Sequence, residues 1–312
     1  MSWSVAALSP EARVVSASRR TDIPALYGRW FGARLDAGGC TYVPAGPPRT
    51  CRASLRPEDV RWFVFWTRWP RPFLPVLDTV LARRFPVIVN LTVTALGGTA
   101  VEPGGPPARR ALTAARALAD RLPRAALTWR YDPIFLSDRY DEAFHLDAFA
   151  RLAEDLAGRV DHVVVSFVTR YGRRVAPDLA RWEIESGDRL ADPSLDRKVA
   201  LVGQLEEIAR AHGLPLAACC DPALTEALGL PPASCNGAHQ APRAWPELAT
   251  LPLPRRKPGR PGCTCVAEVD IGVYDTCTLG CRYSYGSKDQ ATARARARRH
   301  DPDAPCLVPE GR

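Results

Sequence analysis

Seven short apolar segments recur along the 312-residue chain, and they constrain its fold more than any other feature. They are rich in Val, Ile, Phe and Trp, and several contain almost no polar residue. That composition is typical of strands buried on both faces of a parallel sheet. The segments cover residues 14–18, 62–66, 86–93, 125–130, 162–167, 214–219 and 269–272. Because longer stretches separate most of them, the pattern predicts an α/β protein.

Helices are predicted in the intervening stretches from the spacing of their apolar residues. Two of them cover residues 108–122 and 142–156. A third begins at Pro193 and ends near residue 212, before Gly213 and Pro215. The first crossover helix is predicted near residues 25–37, after Pro24. Strand and helix alternate seven times, which predicts a (β/α) barrel, either TIM-like or partial.

The predicted domain organisation is one structural domain with three parts. Residues 1–230 form the barrel core, and residues 231–262 form a Pro-rich, irregular connector. Residues 263–312 supply a cysteine loop that completes the barrel and a basic tail, which is predicted to be helical after Lys288. A chain of this length buries roughly 75% of its unfolded surface, so it needs neither disulfides nor metal merely to fold.

The composition and net charge of the chain limit which partners it can bind and in which cellular compartment it is expected. The net charge of 42 − 34 = +8 permits a nucleic acid or another polyanion as substrate, although compositional drift explains it equally well. No apolar run approaches 18 residues and no secretory leader is visible at the start, so neither a membrane span nor export is expected. The expected location is the reducing cytoplasm, where clustered thiols bind metal or carry out redox chemistry.

Polar side chains follow the predicted strands, where a parallel barrel forms its active site. The candidate catalytic residues are Arg19, Arg20, Asp22, Arg130 and Asp132. The candidate contacts to a cofactor are Thr67, Arg68, Ser166, Tyr283 and Tyr285. Arginine forks bind carboxylate or phosphate groups bidentately, so one interpretation is an anion clamp. The other is that arginine–carboxylate pairs brace the rim of the barrel.

Cysteines are concentrated near the end of the chain. Four of them fall within nineteen residues, at Cys263, Cys265, Cys277 and Cys281. Ser284 lies three residues after Cys281, where a third cysteine would complete a C-x3-C-x2-C iron–sulfur motif. The full set of candidate metal ligands is Cys219, Cys235, Cys263, Cys265, Cys277 and Cys281. An iron–sulfur cluster of the 4Fe–4S kind, a four-thiolate zinc site and the absence of any metal remain open.

Five sequence motifs stand out: SASRRTDIP at 16–24, PEDV at 57–60, FWT at 65–67, WRYDPI at 129–134 and DIGVYDTCTLGC at 270–281. They resemble the motifs of an uncharacterised bacterial family catalogued as domain of unknown function 1848. The resemblance extends from about residue 14 to residue 308. The family's cysteine loop is similar to that of radical S-adenosylmethionine enzymes, in particular spore photoproduct lyase-like proteins. The resemblance therefore implies a 4Fe–4S cluster, S-adenosylmethionine, an electron donor, and a small-molecule or nucleic-acid substrate.

The position and composition of the loop differ from those of the radical enzymes. Their cysteine loop follows the first barrel strand, whereas here it follows the last, which implies a circularly permuted barrel. Cys277 and Cys281 match the first two family cysteines, but Ser284 replaces the third. The function implied is an iron–sulfur enzyme of the radical type. The alternatives are a zinc-stapled hydrolase or binding module, and a cluster-less protein that binds polyanions.

Overall fold

The computed structural model describes residues 3–46 and 49–309. Seven strands form one sheet in which every neighbouring pair is parallel. Two more strands, β2 and β3, form a separate antiparallel hairpin. In chain order the strands are β1 Arg13–Ala17, β2 Gly39–Tyr42, β3 Cys51–Ser54, β4 Val60–Thr67, β5 Val87–Thr92, β6 Leu127–Ile134, β7 His162–Phe167, β8 Leu216–Ala218 and β9 Glu268–Asp270.

Ten α-helices are found in the described part of the chain. They are α1 Ile23–Leu26, α2 Gly28–Asp36, α3 Leu74–Ala82, α4 Ala108–Ala119, α5 Glu142–Leu156, α6 Gly172–Ser186, α7 Leu195–Ala211, α8 Pro222–Leu228, α9 Ala241–Ala244 and α10 Gln290–Arg298. Side-chain caps define several of their starts. Asp141 accepts a hydrogen bond from the Phe144 amide at 2.8 Å, and Asp22 accepts one from the Ala25 amide at 2.9 Å. None of these helices is long and apolar enough to span a membrane.

The core lies between the large sheet and the helices that flank it. The buried faces of the central strands contribute Phe63, Phe65, Val89 and Trp129, which are at most 2% exposed. Phe31 of α2 packs edge-on against both phenylalanines of β4, with ring centroids 5.4 and 5.2 Å apart. The strands are apolar on both faces, as predicted. Such strands are buried by flanking helices and are not exposed to solvent.

The sheet is open, so the closed, TIM-like form of the predicted barrel is not observed. Its strand order is β8-β7-β6-β5-β4-β1-β9, so β8 and β9 are the two edges and do not pair. Each edge strand is only three residues long, too short to form an extended ladder. Residues 231–262, the predicted connector, lie between them in the chain. This connector is less irregular than predicted, because α9 and a 3₁₀ turn at Pro246–Thr250 bury Ala241, Ala244 and Leu248 in the core.

Strand β9 pairs with β1, although 250 residues separate them in the sequence. Val15 lies beside Val269, and Ser16 lies beside Asp270. The spatial order therefore runs β9-β1-β4-β5-β6-β7-β8 without interruption. The loop that carries Cys277 and Cys281 leaves the carboxyl end of β9, at the same edge of the sheet where β1 leads into Arg19 and Arg20.

Candidate functional site

The six candidate metal ligands separate into two groups. Cys219, Cys235, Cys263 and Cys265 form one buried cluster with Val164 and two alanines, which we call the buried thiol centre. Its four cysteines are 7%, 9%, 6% and 1% exposed. Cys277 and Cys281 lie in the loop after β9, which we call the C-terminal cysteine loop, residues 271–285. No hydrogen bond in the described chain joins a sulfur of one group to a sulfur of the other.

Backbone and side-chain hydrogen bonds bring the buried thiol centre together. Cys219 continues from β8, and its amide donates to the Val165 carbonyl at 2.9 Å. Asn236, the residue after Cys235, bonds in both directions with Val266, the residue after Cys265. Thr264, between the last two cysteines, donates its hydroxyl to the Ala233 carbonyl at 2.8 Å. These contacts fix the backbone at Cys235 and Cys265 side by side.

Two sulfur atoms of the buried thiol centre and that of the adjacent Cys220 lie within contact distance. The Cys219 and Cys235 sulfurs are 3.5 Å apart, and the Cys219 and Cys220 sulfurs are 3.7 Å apart. Hydrogen bonding with Cys220 and Cys235 lowers the pKa of Cys219, and hydrogen bonding with Cys235 lowers that of Cys265 to about 5. Burial opposes both shifts, while nearby arginines assist them. The centre therefore favours thiolate formation at two of its positions.

Guanidinium groups surround these sulfurs. Arg130 donates from Nη1 to the Cys235 sulfur at 3.1 Å, and Arg260 donates from Nη2 to the Cys219 sulfur at 3.8 Å. Arg19 and Arg130 both lie over the Trp66 ring, at 5.2 and 5.3 Å from its centroid. The Trp66 indole in turn donates to the Ser16 hydroxyl at 3.1 Å. One aromatic side chain thus holds two of the predicted catalytic arginines next to the thiols.

Internal carboxylates already pair with the three arginines for which both an anion clamp and a brace of the rim were considered. Arg19 contacts Glu268 at 2.7 Å, and Arg20 lies 3.5 Å from Asp270. Arg130 bonds to Asp132, which also accepts from Ser166. Burial opposes the charge of Arg130, but Asp132 keeps the pKa of Arg130 above its ordinary value. In this arrangement these three guanidiniums brace the rim of the sheet.

A second polar network supports the C-terminal cysteine loop. Glu102, which is 0% exposed, accepts from Arg68, from the Thr94 hydroxyl at 2.9 Å and from the Tyr283 hydroxyl. Sequence reasoning assigned Glu102 no role, although an acid isolated in a Gly- and Pro-rich loop was a signal.

The turn after β4 is held by Asp22 as well. Asp22 accepts from the Arg68 amide at 2.8 Å, and burial raises the pKa of Asp22 to about 6. Thr67 caps the same turn, accepting from the Trp69 amide.

Close backbone contacts also dock the loop on the turn that follows β5. The Gly104 amide donates to the Leu279 carbonyl at 2.9 Å, and the Arg282 amide donates to the Val101 carbonyl at 3.0 Å. A Cβ at Gly104 would lie only 2.6 Å from the Leu279 oxygen, so glycine is required there. The loop is therefore held rigidly with respect to Glu102.

The loop thiols are less disposed to ionise than the buried thiol centre. Burial raises the pKa of Cys277 to about 11 and that of Cys281 to about 12. Ser284, at the third motif position, accepts a hydrogen bond from the Gly286 amide at 3.2 Å. Tyr285 is predicted as a cofactor contact, and its ring lies 5.6 Å from that of Tyr171 at the surface.

Within residues 3–46 and 49–309, no three His, Cys, Asp or Glu side chains are arranged to hold a metal ion as they stand.

The comparison with protein families identifies the chain. Residues 14–286 match the family model described as Domain of unknown function (DUF1848). The chain belongs to this family. None of the curated proteins matches the DUF1848 chain.

A similar solved structure is that of the pneumococcal virulence factor StrH, reported with its inhibition and with N-glycan recognition and hydrolysis. Its identity to this chain is 12% and the TM-score is 0.26, with 68% of this chain covered. The match spans about half of that chain, 53%. A similarity at this level carries no argument about the DUF1848 chain.

Proposed function

We propose that this DUF1848 chain is a diverged relative of iron–sulfur enzymes of the radical S-adenosylmethionine type, and that its open sheet is a circularly permuted, partial barrel of that type. The reaction site lies at the carboxyl edge of the parallel strands, where open α/β sheets bind their ligands. One observation carries the proposal. Strand β9 lies beside β1, so the strand that precedes the cysteine loop begins an uninterrupted parallel run of seven.

The C-terminal cysteine loop does not fit a three-thiolate cluster as the sequence stands. It supplies two thiols, at Cys277 and Cys281, and a hydroxyl at Ser284 that accepts from a backbone amide. A hydroxyl is harder and far less acidic than a thiol, which makes it a poor ligand for iron in a sulfide cluster. For this reason we derive no radical step at this loop. We propose instead that the architecture is retained and the loop has diverged.

Restoring the missing thiol tests this proposal. In the Ser284→Cys variant, anaerobic reconstitution with iron and sulfide is expected to add about four irons per chain over the natural protein, because a third thiolate completes the motif. Iron and sulfide analysis and electron paramagnetic resonance of the reduced samples provide the measurement. Thr278→Cys is the matched control, since it adds a thiol to the same loop outside the motif spacing. If Ser284→Cys gains no more iron than Thr278→Cys, the proposed relationship of this chain to radical S-adenosylmethionine enzymes fails.

A second candidate function is binding of a polyanion such as a nucleic acid. It is favoured by the run Arg255, Arg256 and Lys257, all exposed in the connector. With three phosphate contacts, a rise from 50 to 200 mM salt is expected to weaken binding roughly 40-fold. Fluorescence anisotropy with a labelled oligonucleotide measures this. The triple serine variant at these positions should lose most of the salt dependence, whereas Arg13→Ser, an exposed basic residue elsewhere, should retain it. Salt-independent binding by the natural protein would exclude this function.

A further inference from the structure

We propose that the buried thiol centre is a metal site in its own right, in which Cys219, Cys235, Cys263 and Cys265 bind a thiophilic metal as zinc or as an iron–sulfur cluster. It is independent of Cys277 and Cys281. The sequence pattern left open which of the other four cysteines join Cys277 and Cys281 as ligands, and the fold places those four apart from the loop. The new site therefore requires no ligand from the C-terminal cysteine loop.

The first argument is the number and proximity of the sulfurs. A tetrahedral thiolate site has metal–sulfur distances of about 2.3 Å, which places its sulfurs about 3.8 Å apart. The Cys219 and Cys235 sulfurs lie 3.5 Å apart, close to that spacing. Cys263 and Cys265 belong to the same buried cluster. Four is also the number of protein thiolates that a closed zinc site or a cysteine-ligated iron–sulfur cluster requires.

The second argument is that the scaffold holds the cysteine backbones and leaves the side chains to adjust. Asn90 donates from Nδ2 to the Cys235 carbonyl at 2.7 Å, and the Asn236–Val266 pair holds the two neighbouring cysteine segments together. The thiols do not surround one point in their present rotamers. A cysteine has a single side-chain rotation, χ1, between its staggered positions, so metal binding at this centre would require a change of χ1 at some of the four cysteines.

The third argument is electrostatic. Four thiolates around a divalent ion leave a net charge of −2, which a buried site must offset. Arg130 and Arg260 donate to two of the sulfurs, at 3.1 and 3.8 Å. Free cysteines that serve only as small apolar side chains have no need of guanidinium donors. The arginines are therefore placed to donate hydrogen bonds to metal-bound thiolates and to offset their negative charge.

Metal analysis of paired variants of the full chain tests the site. The natural protein is reconstituted anaerobically with Zn²⁺ alone, or with iron and sulfide, and freed of excess metal before elemental analysis. We expect about one zinc or two to four irons per chain. Cys277→Ser/Cys281→Ser should keep this metal, and Cys219→Ser/Cys265→Ser should lose it. Absence of metal from the natural protein, or loss of metal in the loop variant, would overturn the proposal.

A measurement on the natural protein covers the case in which the Cys219→Ser/Cys265→Ser variant fails to fold. Zn²⁺-loaded and metal-free samples are alkylated under native conditions and analysed by mass spectrometry, residue by residue. Bound metal is expected to slow alkylation at Cys219, Cys235, Cys263 and Cys265 about tenfold or more, because a coordinated thiolate is a shielded nucleophile. Cys277 and Cys281 serve as internal controls with unchanged rates. Equal rates at the four cysteines with and without Zn²⁺ would show that they bind no metal.

Discussion

Replacing Glu102 by alanine is expected to lower the free energy of unfolding by about 3–5 kcal/mol, because Arg68 would remain buried without its carboxylate partner. Glu102 is 0% exposed, and the Arg68 residue is 9% exposed. Burial opposes the charge of Arg68, yet Glu102 holds the pKa of Arg68 well above its ordinary value. Removing the acid therefore leaves an uncompensated charge on Arg68 and takes away the acceptor to which the Thr94 and Tyr283 hydroxyls donate.

Urea unfolding followed by circular dichroism measures this loss. The matched control is Glu185→Ala, which removes a carboxylate that is 51% exposed and pairs with Arg282 at 2.7 Å. An exposed pair contributes about 0–1 kcal/mol, so that variant should remain close to the natural protein. Because Tyr283 belongs to the C-terminal cysteine loop, Glu102→Ala should also increase hydrogen exchange at the amides of residues 279–286. Equal stability of the two variants would contradict the role assigned to Glu102.

The sheet strands were predictable from sequence because burial on both faces leaves a continuous apolar signature. The strand at 162–167 and the helix at 142–156 have the predicted bounds. The helix α6 was missed because Pro177 lies inside it and Gly172 begins it. Both residues ordinarily indicate a break in a helix. Hairpin strands β2 and β3 are only four residues each, which is too short for an alternating pattern to stand out.

The candidate site was only partly predictable. Cysteine spacing identified Cys263, Cys265, Cys277 and Cys281, since local sequence shows where soft ligands concentrate. Cys219 and Cys235 were added from the expected position of the end of the sixth strand. Their division into two groups depends on which edge of the sheet each segment joins. That is a long-range property, set by pairing of β9 with β1 and by the bridge between Ala218 and Pro232. The carboxylates that pair with the rim arginines were equally hidden, because Arg19 and Glu268 are 249 positions apart.

Glu268 is expected to make the stability of the chain fall as the pH rises from about 5 to 8. Burial raises the pKa of Glu268 to about 7, and Arg19 only partly offsets this shift. One carboxylate oxygen, Oε2, has no hydrogen-bond partner among the described residues. The unfolded carboxyl titrates near its ordinary value of about 4.3, so between the two pKa values the folded state binds more protons than the unfolded state. Stability is therefore fully present at low pH and declines through this window, by roughly 1–3 kcal/mol.

The Glu268→Gln variant isolates this effect, since an amide of the same shape cannot ionise. Its free energy of unfolding, measured by urea titration at intervals from pH 5 to 8, should vary less with pH than that of the natural chain. The two proteins should differ most near pH 8, with the variant relatively stabilised. Glu207→Gln, which replaces an exposed acid on α7, provides a control whose pH dependence should follow the natural protein. A natural chain that gains stability across this range, with Glu268→Gln unchanged in its slope, would show that Glu268 is ionised throughout and that Arg19 outweighs the cost of its burial.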